Sequence, residues 1–306
     1  MKKILTALFL MTVLFILGCG NENYERSEKL MGTVVTLKAE GFESKTAIDE
    51  SFEKIFELID KVKRDVKILN DSAGSGEFVR ISPEVFEMLE IAQKYSELTN
   101  GAFDVTVGAS IDLWRTARKN KILPTQDEIE SARELTGFNH LHLNIDEQTA
   151  MIDTAGVKIN LGGIGKGYGA DIARKIFIQH GITNGIIDFG TSTIFAFGKK
   201  KIALRSPRGE NEISEIIELE NSALSTSGDY EQFFIVNGRR YHHIIDPKTG
   251  MPTESGVASV SVTVDGTIEN CLTVADVLST SIFVLGEDKG RKILPEHSRL
   301  VTATSL

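Results

Sequence analysis

Apolar positions along the 306-residue chain keep mostly helical spacing in its first part and strand spacing in its second. Met31–Lys38 alternates and is rich in β-branched residues, which predicts a strand. Between Thr46 and Val66, the residues Ile48, Phe52, Ile55, Phe56, Leu58, Ile59 and Val62 recur at helical intervals and predict an amphipathic helix. A polar loop follows, from Asn70 to Gly76. Ser82-Pro83 then opens a second helix that runs to about Leu98 and stops at Asn100-Gly101. Ile111–Arg115 reads as helical and Thr125–Leu135 as a helix. Strands then predominate, at about 140–145, 149–153, 156–161, 184–189, 193–197, 200–205, 214–219, 223–226, 232–236, 240–245 and 257–264. Helices at about 167–180 and 268–286 interrupt them. No Pro-rich linker, compositional break or internal repeat divides the chain. The pattern predicts one α+β domain, a mostly antiparallel sheet with helices packed on it.

The N-terminus changes the picture of where this domain works. Lys2 and Lys3 precede an apolar stretch, Ile4 to Leu17, that ends in Gly18-Cys19. A charged start, a short apolar run and a small residue before a cysteine predict a lipoprotein signal peptide over residues 1–18. Cleavage before Cys19 leaves a thiol that carries lipid, followed by a polar tether over 19–27 and a folded domain over 28–306. The protein is then extracytoplasmic and lipid-anchored to the cell membrane through Cys19. Cys271 is the one other cysteine, so the folded part has no intrachain disulfide. A net charge of −9 argues against a nucleic-acid partner.

Four segments carry candidate chemistry. Val157–Asp171 passes from an alternating stretch through Gly162, Gly163, Gly165, Lys166 and Gly167 into a helix opening. Glycines let the backbone close on a ligand, and a lysine at a helix N-terminus suits phosphate. The spacing matches neither the dinucleotide fingerprint nor a P-loop. A phosphate cradle and a plain glycine turn both remain open. His242-His243 ends a strand, where adjacent side chains point to opposite faces, so at most one enters a given pocket. That histidine is either a general base or half of a surface pair. Asp276 and Thr280 lie four apart on the late apolar helix, so their oxygens share a face. Together with a backbone carbonyl they suit a hard cation such as Mg²⁺, and a salt bridge from Asp276 to a lysine is the alternative. Ser225-Thr-Ser-Gly228 reads either as a phosphate-binding cluster or as a turn.

In this order and at these intervals, five motifs resemble the ApbE family of FAD:protein FMN transferases. They are Gly101-Ala-Phe-Asp104, Asn160–Asp171, Ser225–Gly228, His243–Gly250 and Ala275–Thr280, and Met31-Gly-Thr33 looks like the family's N-terminal motif. The resemblance covers roughly residues 28–300. It implies a T-fold-like α+β core and transfer of FMN from FAD, with Mg²⁺, to a threonine or serine hydroxyl, releasing AMP. It also implies an exported or membrane redox protein as the acceptor. By the same resemblance Asp276, Thr280 and the Gly163 carbonyl would hold the metal, with Ser279 a weaker candidate. Met31, Ala102, Phe103, Asp104, Asn160 and Lys166 would contact FAD, His243 would deprotonate the acceptor, and Asp171 would support the glycine turn. The chain departs from the family's pattern in three places. Lys63–Asn70 lacks an aromatic residue that packs on the flavin, Asp188-Phe-Gly-Thr-Ser-Thr193 replaces a Gly-Gly-Asp sequence, and Asn160 stands where aspartate is common. Two other readings of the same residues are an FAD-binding lipoprotein without enzymatic activity and an FAD pyrophosphatase releasing FMN and AMP.

Overall fold

The computed structural model describes residues 23–190, 192–209 and 212–305. Its first elements are β1 (Asn23–Leu30), β2 (Thr33–Glu40), α1 (Ser44–Asp71), β3 (Val79–Arg80), α2 (Pro83–Leu98), α3 (Gly108–Asn120), α4 (Gln126–Glu134), β4 (Leu141–Asn144) and β5 (Thr149–Ile152). There follow α5 (Gly165–Gln179), β6 (Gly185–Phe189), β7 (Thr193–Arg205), β8 (Ile213–Gly228), β9 (Phe233–Val236), β10 (Arg239–His242), β11 (Val257–Asp265), α6 (Cys271–Leu285), α7 (Glu287–Gly290) and β12 (Ser298–Ser305).

Seven strands form the main sheet in the order β1-β2-β6-β7-β8-β11-β12, and every neighbouring pair is antiparallel. Helices α1, α5 and α6 cover one face, with α1 against β1 and β2, α5 against β6 and β7, and α6 against β8 and β11. Alternation along the strands supplies the core beneath them. Val35, Leu37 and Ala39 of β2, Ile187 and Phe189 of β6, and Phe195 and Phe197 of β7 are all buried there. The expected α+β architecture is therefore present.

On the other face, β7 and β8 form one long hairpin that slips register between Ala196 and Lys199, beside Gly198. The outer half of the hairpin folds back, so that Ile202, Leu204 and Leu219 pack with Ile194, Ala196 and Leu224. Its loop returns Arg208 to a two-bond pair with buried Asp229, at 2.7 and 2.8 Å. A short ribbon, β9–β10, and a three-stranded sheet, β3-β5-β4, complete the fold.

Three expectations need correction. Residues 23–27, read as the end of a tether, belong to β1, which pairs along its length with β2. This strand is polar because it is an edge. Arg26 lays its guanidinium 4.7 Å from the centre of the Phe52 ring and bonds Asp49 at 3.0 Å, so a charged residue does the packing. The alternating run 156–161 is not a strand either. It makes one parallel bridge, Val107 to Lys158, and the Asn160 N–H is taken by the Val105 carbonyl. Finally, β12 was not expected at all. The proposed signal peptide and Cys19 lie outside the described residues. Among the described residues no helix is long and apolar enough to cross a membrane.

Candidate functional site

A cleft of about 740 Å³ opens where the start of α5 and the middle of α6 meet the end of β8 and the β9–β10 ribbon. That is within the usual range for a ligand pocket, roughly 300–1,000 Å³. Met31, Ala102, Phe103, Asp104, Asn160, Gly163, Lys166, His243, Asp276 and Thr280 all line it. Met31 arrives through the β1–β2 hairpin, whose two-residue turn has positive φ at both Met31 (50°) and Gly32 (76°). A methionine in that region is strained, and strain of this kind concentrates at functional sites. The turn is braced by Thr33 against Gly190, where an added Cβ would sit 1.8 Å from the Thr33 hydroxyl.

Asp276 is the centre of the polar corner. It is buried on α6, and burial raises its carboxyl pKa against the opposing influence of Lys166, the Gly167 N–H and Ser225. Its Oδ2 accepts the Gly167 N–H at 3.0 Å, and Ser225 donates to Oδ1 at 3.4 Å. No salt bridge to Asp276 forms among the described residues, so the lysine-pair alternative is not realised. Ser227 on β8 bonds the Thr280 hydroxyl at 3.2 Å and that of Ser279 at 3.0 Å. Ser279 is fully buried and donates to the Asp276 carbonyl, which leaves Thr280 as the hydroxyl on the cleft. Gly163 faces the same point, since a Cβ there would lie 3.6 Å from the Thr280 hydroxyl oxygen. A buried carboxyl group under the charge of Lys166, a hydroxyl and a nearby peptide make an all-oxygen donor set of the kind that fits a hard divalent ion. Among the described residues no group of three or more His, Cys, Asp or Glu side chains converges, so an ion in this corner would rest on one carboxyl group, a hydroxyl and backbone oxygen.

The glycine run brings this corner together. Gly167 crosses α6 so closely that a Cβ would lie 2.6 Å from the Leu272 carbonyl and from the Thr273 Cα. Asp171, one turn further along α5, does not support the glycine turn. It accepts the N–H groups of Leu272 (3.2 Å) and Thr273 (2.8 Å) and the Thr273 hydroxyl (2.7 Å), at the start of α6. The helix's own N-cap residue, Asn270, gives no side-chain cap, so Asp171 satisfies these donors from outside. Asn160 shapes the turn instead, accepting the Gly162 N–H at 2.9 Å. Asp104 likewise holds its own loop, taking the N–H and hydroxyl of Thr106 at 2.8 and 2.7 Å.

The two histidines separate as alternation requires. His242 is buried, with Nε2 donating to the Thr253 carbonyl (3.1 Å) and Nδ1 accepting the Ile244 N–H (3.3 Å). Both of its ring nitrogens are thus occupied. His243 faces the cleft, with part of its surface exposed and the rest crowded by the cleft walls. The crowding walls, and the nearby His242, Lys166 and Arg118, lower its pKa to about 4, so the imidazole is neutral at pH 7. Lys166 enters no salt bridge among the described residues, and its charge acts on both Asp276 and His243.

A family profile described as the ApbE family matches residues 31–304. The chain belongs to the ApbE family. An "FAD:protein FMN transferase" of Vibrio cholerae is 31% identical, over 93% of this chain and 88% of that protein. Another, of Treponema pallidum, is 30% identical over 91% and 84%. Among solved structures, an ApbE protein of Thermotoga maritima superposes with a TM-score of 0.76 at 32% identity, covering 89% of this chain and 90% of that one. The flavin transferase ApbE of Vibrio cholerae gives 0.75 at 27% identity, covering 94% and 98%.

This ApbE-family cleft also contains residues that sequence patterns left unassigned. Trp114 stacks on Tyr241 with ring centres 5.5 Å apart and planes 15° apart, and Phe234 lies 5.5 Å beyond. All three line the cleft, and Trp114 is fixed by an indole N–H bond to the Gly250 carbonyl at 2.7 Å. They form an aromatic wall in a chain whose 63–70 segment has none. Three separate segments contribute it, so no local spacing announces it. Ser227 carried a signal, since it sits in the Ser225–Gly228 motif, but its bond to Thr280 is visible only in three dimensions.

Proposed function

We propose that this chain is a Mg²⁺-dependent transferase that moves FMN from FAD to a threonine or serine hydroxyl of a target protein. The convergence of Asp276, Thr280 and Gly163 with Lys166 and His243 in one cleft carries this reading. The Asp276–Thr280–Gly163 corner is the place for the ion. When bound, Mg²⁺ would neutralise pyrophosphate oxygens and polarise the phosphorus. Lys166 adds a positive charge for the phosphates, and the aromatic wall offers the flavin a stacking surface. His243 accepts the proton of the incoming hydroxyl. The hydroxyl oxygen bonds to the FMN phosphorus, the bond to the AMP phosphate breaks, and AMP leaves. A neutral imidazole is the form this step requires.

The signal-peptide pattern supports an extracytoplasmic protein held at the membrane by lipid on Cys19, acting on an exported or membrane redox protein. The soluble domain, incubated with FAD, Mg²⁺ and an acceptor carrying a flavinylation threonine, should yield in-gel flavin fluorescence on the acceptor. His243→Ala should lose it. AMP released without labelled acceptor would instead mean hydrolysis, and neither product would mean a flavin binder.

A further inference from the structure

Strand β1 runs between the cleft and the proposed lipid anchor. Its C-terminal end leads into Met31 in the cleft, and its first residue, Asn23, is four positions after Cys19. Whatever path those residues take, extended chain geometry keeps Cys19 within about 14 Å of Asn23. The lipid therefore tethers one particular end of the molecule. Asn23 pairs with Glu40, and two residues further on the turn carries Phe42, which is 84% exposed and the most exposed large apolar side chain among the described residues. A single exposed apolar residue is unremarkable. Its place beside the tethered strand end is what gives it meaning. The charges around it are largely paired with one another. Lys45 lies 5.7 Å from the Tyr24 ring centre and pairs with Asp49 at 2.6 Å. Lys200 bonds the side chain of Asn184, whose carbonyl takes the Glu40 N–H. The carboxylates of Glu43 and Glu50 are drawn to His180, and half-exposed Ile178 ends the adjacent α5.

We propose that this end of the sheet seats on the bilayer, with Phe42 inserted among the headgroups and the cleft held away from the membrane. This rests on the lipid-anchor reading above. Eight residues of strand at about 3.4 Å each place Met31 up to about 27 Å from the Asn23 end. An acceptor whose hydroxyl stands at comparable height above the same membrane is then presented to His243, and one buried at the membrane surface is not.

The test uses the full lipidated chain in vesicles of phosphatidylethanolamine and phosphatidylglycerol. Phe42→Cys and, as the control on the cleft side, half-exposed Leu98→Cys, four residues before cleft-lining Ala102, are each labelled with an environment-sensitive fluorophore. Native Cys271 is fully buried and does not compete for label. Retained FMN transfer to a soluble acceptor peptide confirms that each variant is folded. The label at 42 should be quenched from the lipid phase and shielded from aqueous iodide, the label at 98 should behave oppositely, and Cys19→Ala should abolish the difference. Lipidated, vesicle-bound protein whose label at 42 is as open to iodide as that at 98 overturns the seating alone. If the unmodified chain stays unbound, as Cys19→Ala does, the anchor reading falls and the seating with it.

Discussion

Replacing Gly167 by alanine tests the claim that the α5–α6 crossing positions the proposed metal corner. The new methyl would lie 2.6 Å from the Leu272 carbonyl oxygen and the Thr273 Cα, and 2.9 Å from the Asp276 Cβ. The first two are backbone atoms that no rotamer change can move, so the helices must part by the better part of an ångström. Such overpacking costs about 1–3 kcal/mol, while alanine in place of helical glycine returns about 1 kcal/mol. The net loss of stability should therefore stay within about 2 kcal/mol and leave the protein folded. Activity should suffer far more, because the shift carries Asp276 away from the Gly167 N–H, now 3.0 Å distant. A displacement of this size costs roughly a hundredfold in rate. The assay is FMN transfer to an acceptor peptide across a Mg²⁺ titration, beside urea unfolding of the same preparation. kcat/KM should fall on the order of a hundredfold and half-saturation by Mg²⁺ should move upward. Gly165→Ala is the control for packing, since a Cβ there meets no protein atom within 4 Å, and it should leave the urea midpoint unchanged. Wild-type rate and Mg²⁺ dependence in Gly167→Ala would refute the positioning role of the crossing.

Other outcomes follow from the same geometry. The role proposed for His243, a neutral base with its pKa lowered to about 4, predicts that kcat/KM stays level from neutrality into mild acid and falls as pH drops through that value. A limb near the ordinary histidine pKa would contradict it. Asp171→Asn leaves donors at the start of α6 unpaired, which should cost about 1–3 kcal/mol in urea unfolding and weaken Mg²⁺ dependence, whereas an unchanged midpoint would deny the capping role. Trp114→Phe loses the bond to the Gly250 carbonyl and should lower stability by about 1 kcal/mol, and a wild-type midpoint would show that the bond contributes nothing.

Much of this was legible along the chain because the relevant signals are local. The apolar stripe of α1, the Ser82-Pro83 start of α2 and the alternation that sends His242 inward and His243 outward each depend on neighbours within a few residues. β1 was illegible because an edge strand needs no apolar face when Arg26 can lie over Phe52. The run 156–161 alternates because its residues pack against the core, yet its backbone pairs only briefly with 105–107. The candidate site residues were legible by order and type, and the structure collects them in one cleft. The role of Asp171 was not, since its partners lie about a hundred residues away on α6. The aromatic wall was hidden for the same reason, being assembled from α3, β9 and β10.

Mass analysis of acceptor and nucleotide products from one reaction tests the central claim most directly. Wild-type protein with FAD and Mg²⁺ should add one FMN to the acceptor's threonine for each AMP released, and Asp276→Ala should do neither. AMP released without FMN on the acceptor, or FMN transfer undiminished in Asp276→Ala, would contradict the account.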